Sequence, residues 1–211
     1  MRLYFKFLAY LIVALANLPA HAGAYDDFFS AVRRDDGRTA ARLLERGFDP
    51  NAPDENGQPA LLLALRDGCD RVAEVLLQRP ELAVERANPS DETPLMMAAL
   101  RGRVEWLDKL VAHGAQVNRP GWSPLHYAAS GGDVPTVRWL LDHGAQKDAR
   151  SPNNTTPLMM AAGYGSEDAA DLLLARGADA GRRNDKGLTA ADFARRAGRD
   201  ALAARLDKAM H

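Results

Sequence analysis

Ser123-Pro124-Leu125-His126-Tyr127-Ala128-Ala129-Ser130-Gly131-Gly132, followed by Leu140-Leu141-Asp142-His143-Gly144-Ala145, is the stretch on which the reading of this chain turns. Its opening phrase recurs as Pro59-Ala60-Leu61, Thr93-Pro94-Leu95, Thr156-Pro157-Leu158 and a worn Thr189-Ala190-Ala191. The second members stand 34, 30, 33 and 33 residues apart. Self-similarity at that period marks stacked repeats. Each repeat buries its faces against its neighbours and leaves a long surface in place of one deep cleft. The pattern therefore implies binding to another protein before it implies catalysis.

Every unit has the same parts. In the phrase, Thr or Ser suits a helix N-cap, and Pro suits the first helical position, where its missing N–H costs nothing. A short helix of small residues follows, ending at Gly68, Gly102, Gly132, Gly165 or Gly198. A second helix then carries an apolar stripe, such as Trp106-Leu107-Leu110-Val111 between Val104 and His113. Leu140 and Leu141 are expected to face neighbouring repeats in the same way. The second helices stop at Gly47, Gly114, Gly144 or Gly177, where the chain needs a left-handed residue.

In this order the parts resemble the ankyrin repeat family over essentially everything after residue 22. The Pro-Leu-His phrase, the Ala-Ala pair and the Leu-Leu-x-x-Gly-Ala ending all match. The resemblance implies an all-α solenoid of helix-turn-helix units with short β-hairpin-like fingers. About six units, caps included, fall near residues 24–53, 54–87, 88–117, 118–150, 151–183 and 184–211 of one elongated domain, 23–211. It also implies that His126 ties adjacent turns together by hydrogen bonds and that the first helices line a concave face. Three places depart from the pattern. Asp26-Asp27 stand where Thr-Pro belongs, and Arg79-Pro80-Glu81-Leu82 replaces a closing glycine ahead of an irregular run to Asn88. Gly114 to Pro124 is 10 residues against 13 for Gly144 to Pro157, so that finger should be stunted, with Trp122 near its tip.

The first 22 residues carry a different signal. Arg2 and Lys6 precede an apolar run from Phe7 to Leu18; Pro19 breaks it, and Ala20-His21-Ala22 offers small residues for cleavage. This is the pattern of a secretory signal peptide over 1–22, with Gly23 as the new terminus. The rival reading, an uncleaved anchor, calls for about 20 apolar residues, and the run has 12. The expected location is therefore exported, periplasmic or secreted, with no membrane attachment after cleavage. The chain resembles the small exported ankyrin proteins of Gram-negative bacteria. That likeness implies an accessory role for a periplasmic enzyme or an immunity-type inhibition of a toxin. A net charge of −1, more negative still without Arg2 and Lys6, gives no reason to expect nucleic acid. One cysteine excludes an internal disulfide, and a monomer is expected.

No nucleophile elbow, zinc-binding His-Glu-x-x-His or phosphate-cradling glycine loop is present, so no enzyme, metal or cofactor is expected. His113 and His143 each precede a helix-ending glycine, where they suit the last carbonyls. His211 is terminal. Cys69 follows a glycine and begins a helix, a place where a thiol pKa can be lowered, so a redox role stands as a minor alternative. Alignment puts Ser30, Arg33, Arg34, Leu63, Arg66, Asp67, Met97, Leu100, Arg101, Tyr127, Ser130, Gly131, Met160, Gly163 and Tyr164 at outward positions of first helices. Of these, Leu63, Arg66, Met97, Leu100, Arg101, Tyr127, Met160 and Tyr164 are the candidate partner-binding residues of the concave face. Asp54, Asn56, Trp122 and Asn153 are the candidates on the fingers. The alternative for the apolar members is that Met and Leu turn inward as packing.

Overall fold

The computed structural model describes residues 23–210; the leader expected over 1–22 and His211 lie outside them. Among the described residues the chain is all-α, twelve helices in six helix-turn-helix pairs, and its only β feature is a bridge between Pro53 and Pro59. The chain packs as two compact units that divide after Leu82, within the irregular Arg79–Asn88 segment.

The first unit holds α1 (23–33), α2 (Gly37–Glu45), α3 (Ala60–Asp67) and α4 (Asp70–Leu77). Its core is aromatic at one end: Phe28 stacks on Phe48 at 4.3 Å between ring centroids and meets Phe29 edge-on. Leu61, Leu62, Leu65 and Leu76 fill the rest. The Asp35 carboxylate accepts the Val72 N–H at 3.0 Å and so satisfies an orphan donor at the start of α4. In α3 Pro59 stands at the N-cap, in extended conformation and without a side-chain cap bond, and Ala60 takes the first helical position that Pro94 holds in α5.

The second unit holds α5 (Pro94–Leu100), α6 (Val104–Ala112), α7 (Pro124–Gly131), α8 (Val134–Asp142), α9 (Pro157–Gly163), α10 (Glu167–Ala175), α11 (Ala190–Arg196) and α12 (Asp200–Lys208). First helices pack on first helices, α5 on α7, α7 on α9 and α9 on α11. The expected caps are in place: Thr93, Thr156 and Thr189 accept the N–H of Met96, Met159 and Asp192, and Pro94, Pro124 and Pro157 occupy the first turn. The stripe of α6 buries Trp106, Leu107 and Leu110, while Val111 is half-buried. Leu140 is fully buried, but Leu141, expected beside it, is half exposed.

One glycine stands where it was expected for a different reason. Gly165 does not adopt a left-handed conformation, unlike Gly102 and Gly132. Helix α9 ends at Gly163, with Tyr164 as its C-cap. A Cβ at Gly165 would lie 1.9 Å from the Ala129 carbonyl oxygen, so close approach of two repeats selects glycine there.

Candidate functional site

Four inter-repeat loops are closed alike. The N–H of Asp54, Asn88, Ser151 and Asn184 bonds the carbonyl four residues on, and that of Gly57, Asp91, Asn154 and Gly187 bonds back. The first side chain completes the turn: Asp54 Oδ1 accepts from the N–H of Asn56 and Gln58, and Asn153 Oδ1 accepts from the Ser151 hydroxyl. Asp54 and Asn153 therefore shape their fingers from within, and only Asn56 of this trio is fully exposed without that duty. Neighbouring fingers are joined as well, with Asn154 Nδ2 donating to Asp185 Oδ1 at 2.6 Å.

The short loop lacks this closure. Arg119 pins it instead, donating to the Asp91 carbonyl and carboxylate at 2.8 Å each. Trp122 is consequently not at an outstretched tip. It is half-buried and lies edge-on to His126, with ring centroids 5.2 Å apart. His126 is fully buried: its Nδ1 accepts the Ser123 N–H at 3.1 Å, and its Nε2–H donates to the Thr155 carbonyl of the next repeat at 3.0 Å. Burial lowers its pKa to about 4, so the ring is neutral at ordinary pH. This is the bond between adjacent turns that the repeat pattern implied for this histidine.

Leu100, Trp122, His126, Tyr127, Ser130 and Met160 line a cleft of about 250 Å³ across α5, α7 and α9. Four of the expected residues, Leu100, Trp122, Tyr127 and Met160, thus come together. Tyr127 is half-buried, and its hydroxyl donates to Glu92 Oε1 at 3.0 Å. Burial first, and the Glu92 carboxylate second, push its pKa up. Tyr164 lies farther along the same row of helices. It is the only large apolar side chain among the described residues that is freely exposed, at 65%, and it meets Phe193 edge-on.

Other expectations about exposure fail. Leu63 and Met97 are buried, at 7% and 3%, whereas Tyr127 and Met160 at the same slot of their repeats reach the cleft. Arg66, in the first unit, folds onto its neighbour Asp67 at 2.8 Å. Arg101 is exposed, as are Arg33, Arg34 and Asp67. Two residues of this surface were not singled out from sequence. Glu92 gave no signal beyond preceding Thr93-Pro94, whereas Phe193 was legible, since it occupies the slot of Tyr127 and Met160 in the sixth unit. A wider cleft in the first unit, about 780 Å³, is lined by the charged Arg34, Asp35, Asp36, Arg38 and Arg71 together with Gly37, Ala41 and Val75.

The two terminal histidine slots are structural. Nδ1–H of His113 donates to the Lys109 carbonyl, and that of His143 to the Trp139 carbonyl, each at 2.7 Å. Cys69 is buried at 6%, and burial, with Asp35 and Asp67 adding to it, raises its thiol pKa. That direction is opposite to the lowered value a redox role needs, because burial outweighs the helix start.

A family model for ankyrin repeats matches residues 28–120 and 116–185. The chain belongs to the ankyrin repeat family. Ankyrin repeats are protein–protein interaction modules, and no helix among the described residues is long and apolar enough to cross a membrane. Curated relatives include the nuclear factor NF-kappa-B p105 subunit of Gallus gallus, 33% identical over 65% of this chain. Neurogenic locus notch homolog protein 1 is also similar, 33% identical over 58% of the chain in Xenopus tropicalis and 32% over 58% in Homo sapiens. The chain spans 15% of the p105 subunit and 5% of each notch protein, so the likeness is to their repeat segments.

Proposed function

We propose that this ankyrin protein is an exported, non-enzymatic binding module that grips a partner protein in the periplasm. The observation that carries the reading is the apolar surface on α5, α7 and α9, continued by the exposed Tyr164. Soluble proteins seldom present such side chains together without use, and aromatic residues concentrate where partners dock. The leader pattern at 1–22 supports export, and the weak net charge fits a protein partner better than nucleic acid.

Tyr164→Ala is the informative variant. Its side chain is exposed, so the melting temperature should stay near that of the parent, whereas Tyr127→Ala would also release Glu92 and confuse binding with stability. Both proteins are immobilised and exposed to a periplasmic extract. The expected result is a partner retained by the parent and depleted on Tyr164→Ala; a central aromatic is often worth about 2 kcal/mol or more. Equal retention would place the binding surface elsewhere.

A further inference from the structure

The structure assigns a site of spontaneous covalent modification to the finger of the first unit: Asn56 loses its side-chain amide by cyclising onto the Gly57 nitrogen, leaving aspartate and isoaspartate at the tip. This goes beyond the binding reading and does not rest on it. The site follows from what the turn demands. Asp54-Glu55-Asn56-Gly57 closes with the Gly57 N–H donating to the Asp54 carbonyl, and its last residue is left-handed, at a φ of +75°. Glycine takes that conformation without strain and leaves no Cβ beside its nitrogen. The other fingers meet the same demand differently: Asp91 and Asn154 are left-handed with side chains, and Gly187 follows a lysine. Only at Asn56 does an asparagine precede the glycine.

The side chain is also free to react. Asp54 Oδ1 accepts from the N–H of Asn56 and Gln58, so the turn is completed without the Asn56 amide. Asn56 is exposed, and it alone among the described asparagines makes no side-chain hydrogen bond. Asn153 occupies the same slot in the fifth unit. Its Oδ1 is held by the Ser151 hydroxyl and the Thr155 N–H, and the residue after it, Asn154, is anchored on Asp185. The turn bond that must open is alike in both fingers, Gly57 N–H to the Asp54 carbonyl and Asn154 N–H to the Ser151 carbonyl, each at 2.9 Å. Exposed loop tips open locally at little cost. The reacting pair, not the turn, therefore separates the two fingers.

The step balances with water alone. Solvent base takes the Gly57 amide proton, the nitrogen bonds to Asn56 Cγ, and the Cγ–Nδ2 bond breaks with Nδ2 leaving as ammonia. One water then opens the five-membered imide. Attack at Cγ restores the backbone with aspartate at position 56; attack at the backbone carbonyl leaves the chain running through Cγ, as isoaspartate. Either product adds a negative charge beside Asp54 and Glu55. Isoaspartate also puts an extra backbone atom into the ring that the Gly57–Asp54 bond closes.

The purified protein is held for weeks in mildly alkaline buffer at body temperature, folded and in urea, and digested at acid pH. Peptide masses and fragment ions are then read at intervals. In the folded protein Asn56 should show the amide-to-acid mass gain, split into two products of equal mass, while Asn153 keeps its amide. Gly57→Ala should suppress the conversion, since a Cβ then crowds the attacking nitrogen. Alanine is strained at that φ, so Asn154→Gly serves beside it. That variant relieves a left-handed asparagine and should bring the conversion to Asn153. Asn56 keeping its amide in the folded protein while converting in urea overturns the site. So does conversion of Asn153 in the parent at the rate of Asn56, an undiminished rate in folded Gly57→Ala, or an inert Asn153 in Asn154→Gly.

Discussion

At the third position after the caps of α5, α7, α9 and α11, four side chains do one job. His126 Nδ1, Asp192 Oδ2 and the sulfurs of Met96 and Met159 each accept the N–H of the capping residue, at distances from 2.9 to 3.5 Å. Only the histidine adds a second bond into the next repeat, and only it has an ordinary pKa near neutrality. Its folded pKa of about 4 lies below the ordinary 6.5. Between those values the unfolded chain binds a proton that the folded chain refuses. The stability from this site is therefore complete above about pH 6.5. It declines as pH falls toward 4 by at most about 1.4 kcal/mol per unit. The lowered carboxyl groups of Asp36 and Asp192 act below this window. Urea midpoints at pH 7.5 and 5 should show the loss in the parent, and His126→Gln should be less stable at pH 7.5 yet flatter with pH. A second residue-scale expectation concerns glycine. Gly144→Ala meets open space and strains only a φ of +81°, costing about 1 kcal/mol. Gly165→Ala drives a methyl into the Ala129 carbonyl and should lower the melting temperature clearly more.

At the scale of elements, the second unit is held by burial between helices and trimmed by surface links. Trp139 Nε1 donates to Asp108, Arg176 pairs with Asp142, and Arg205 pairs with Glu167 and Asp171, so α8, α10 and α12 are each linked to the second helix before them. Arg199 also donates to the Ala161 and Ala162 carbonyls in the last turn of α9. The two kinds of contact differ in strength. Leu140→Ala should cost about 2–5 kcal/mol, since a fully buried side chain leaves a cavity. Arg205→Ala, exposed with solvent-screened partners, should leave the midpoint almost unchanged. Denaturant midpoints of the two variants measure the contrast, and equal small shifts would contradict the packing of α8.

At the scale of the whole molecule, the division after Leu82 falls where the closing glycine is missing. Without a left-handed residue to end α4, the segment runs through Arg79-Pro80 and successive turns to Asn88. The proposed export belongs to this scale too. Ala22→Asp puts a charge at the position where small residues are needed, so leader cleavage should fail. The intact mass of exported parent protein should begin at Gly23; a mass beginning at Met1 would favour the anchor.

The recurring phrase, its caps and its glycines determined from sequence alone that the chain is a stack of helix pairs, because capping and helix periodicity are local chemistry. Leu140 and the stunted loop were legible for the same reason, whereas the role of His126 came with the resemblance to the ankyrin family. The tertiary structure decided which side chains of the first helices reach solvent. Met97 and Met160 occupy one slot in two repeats, yet the first is buried and the second helps line the cleft. Only the residues packed beside each slot set that difference. Trp122 likewise needed the fold: the loop's length was countable, but its anchoring by Arg119 on Asp91, 28 residues away, arises from repeats brought side by side.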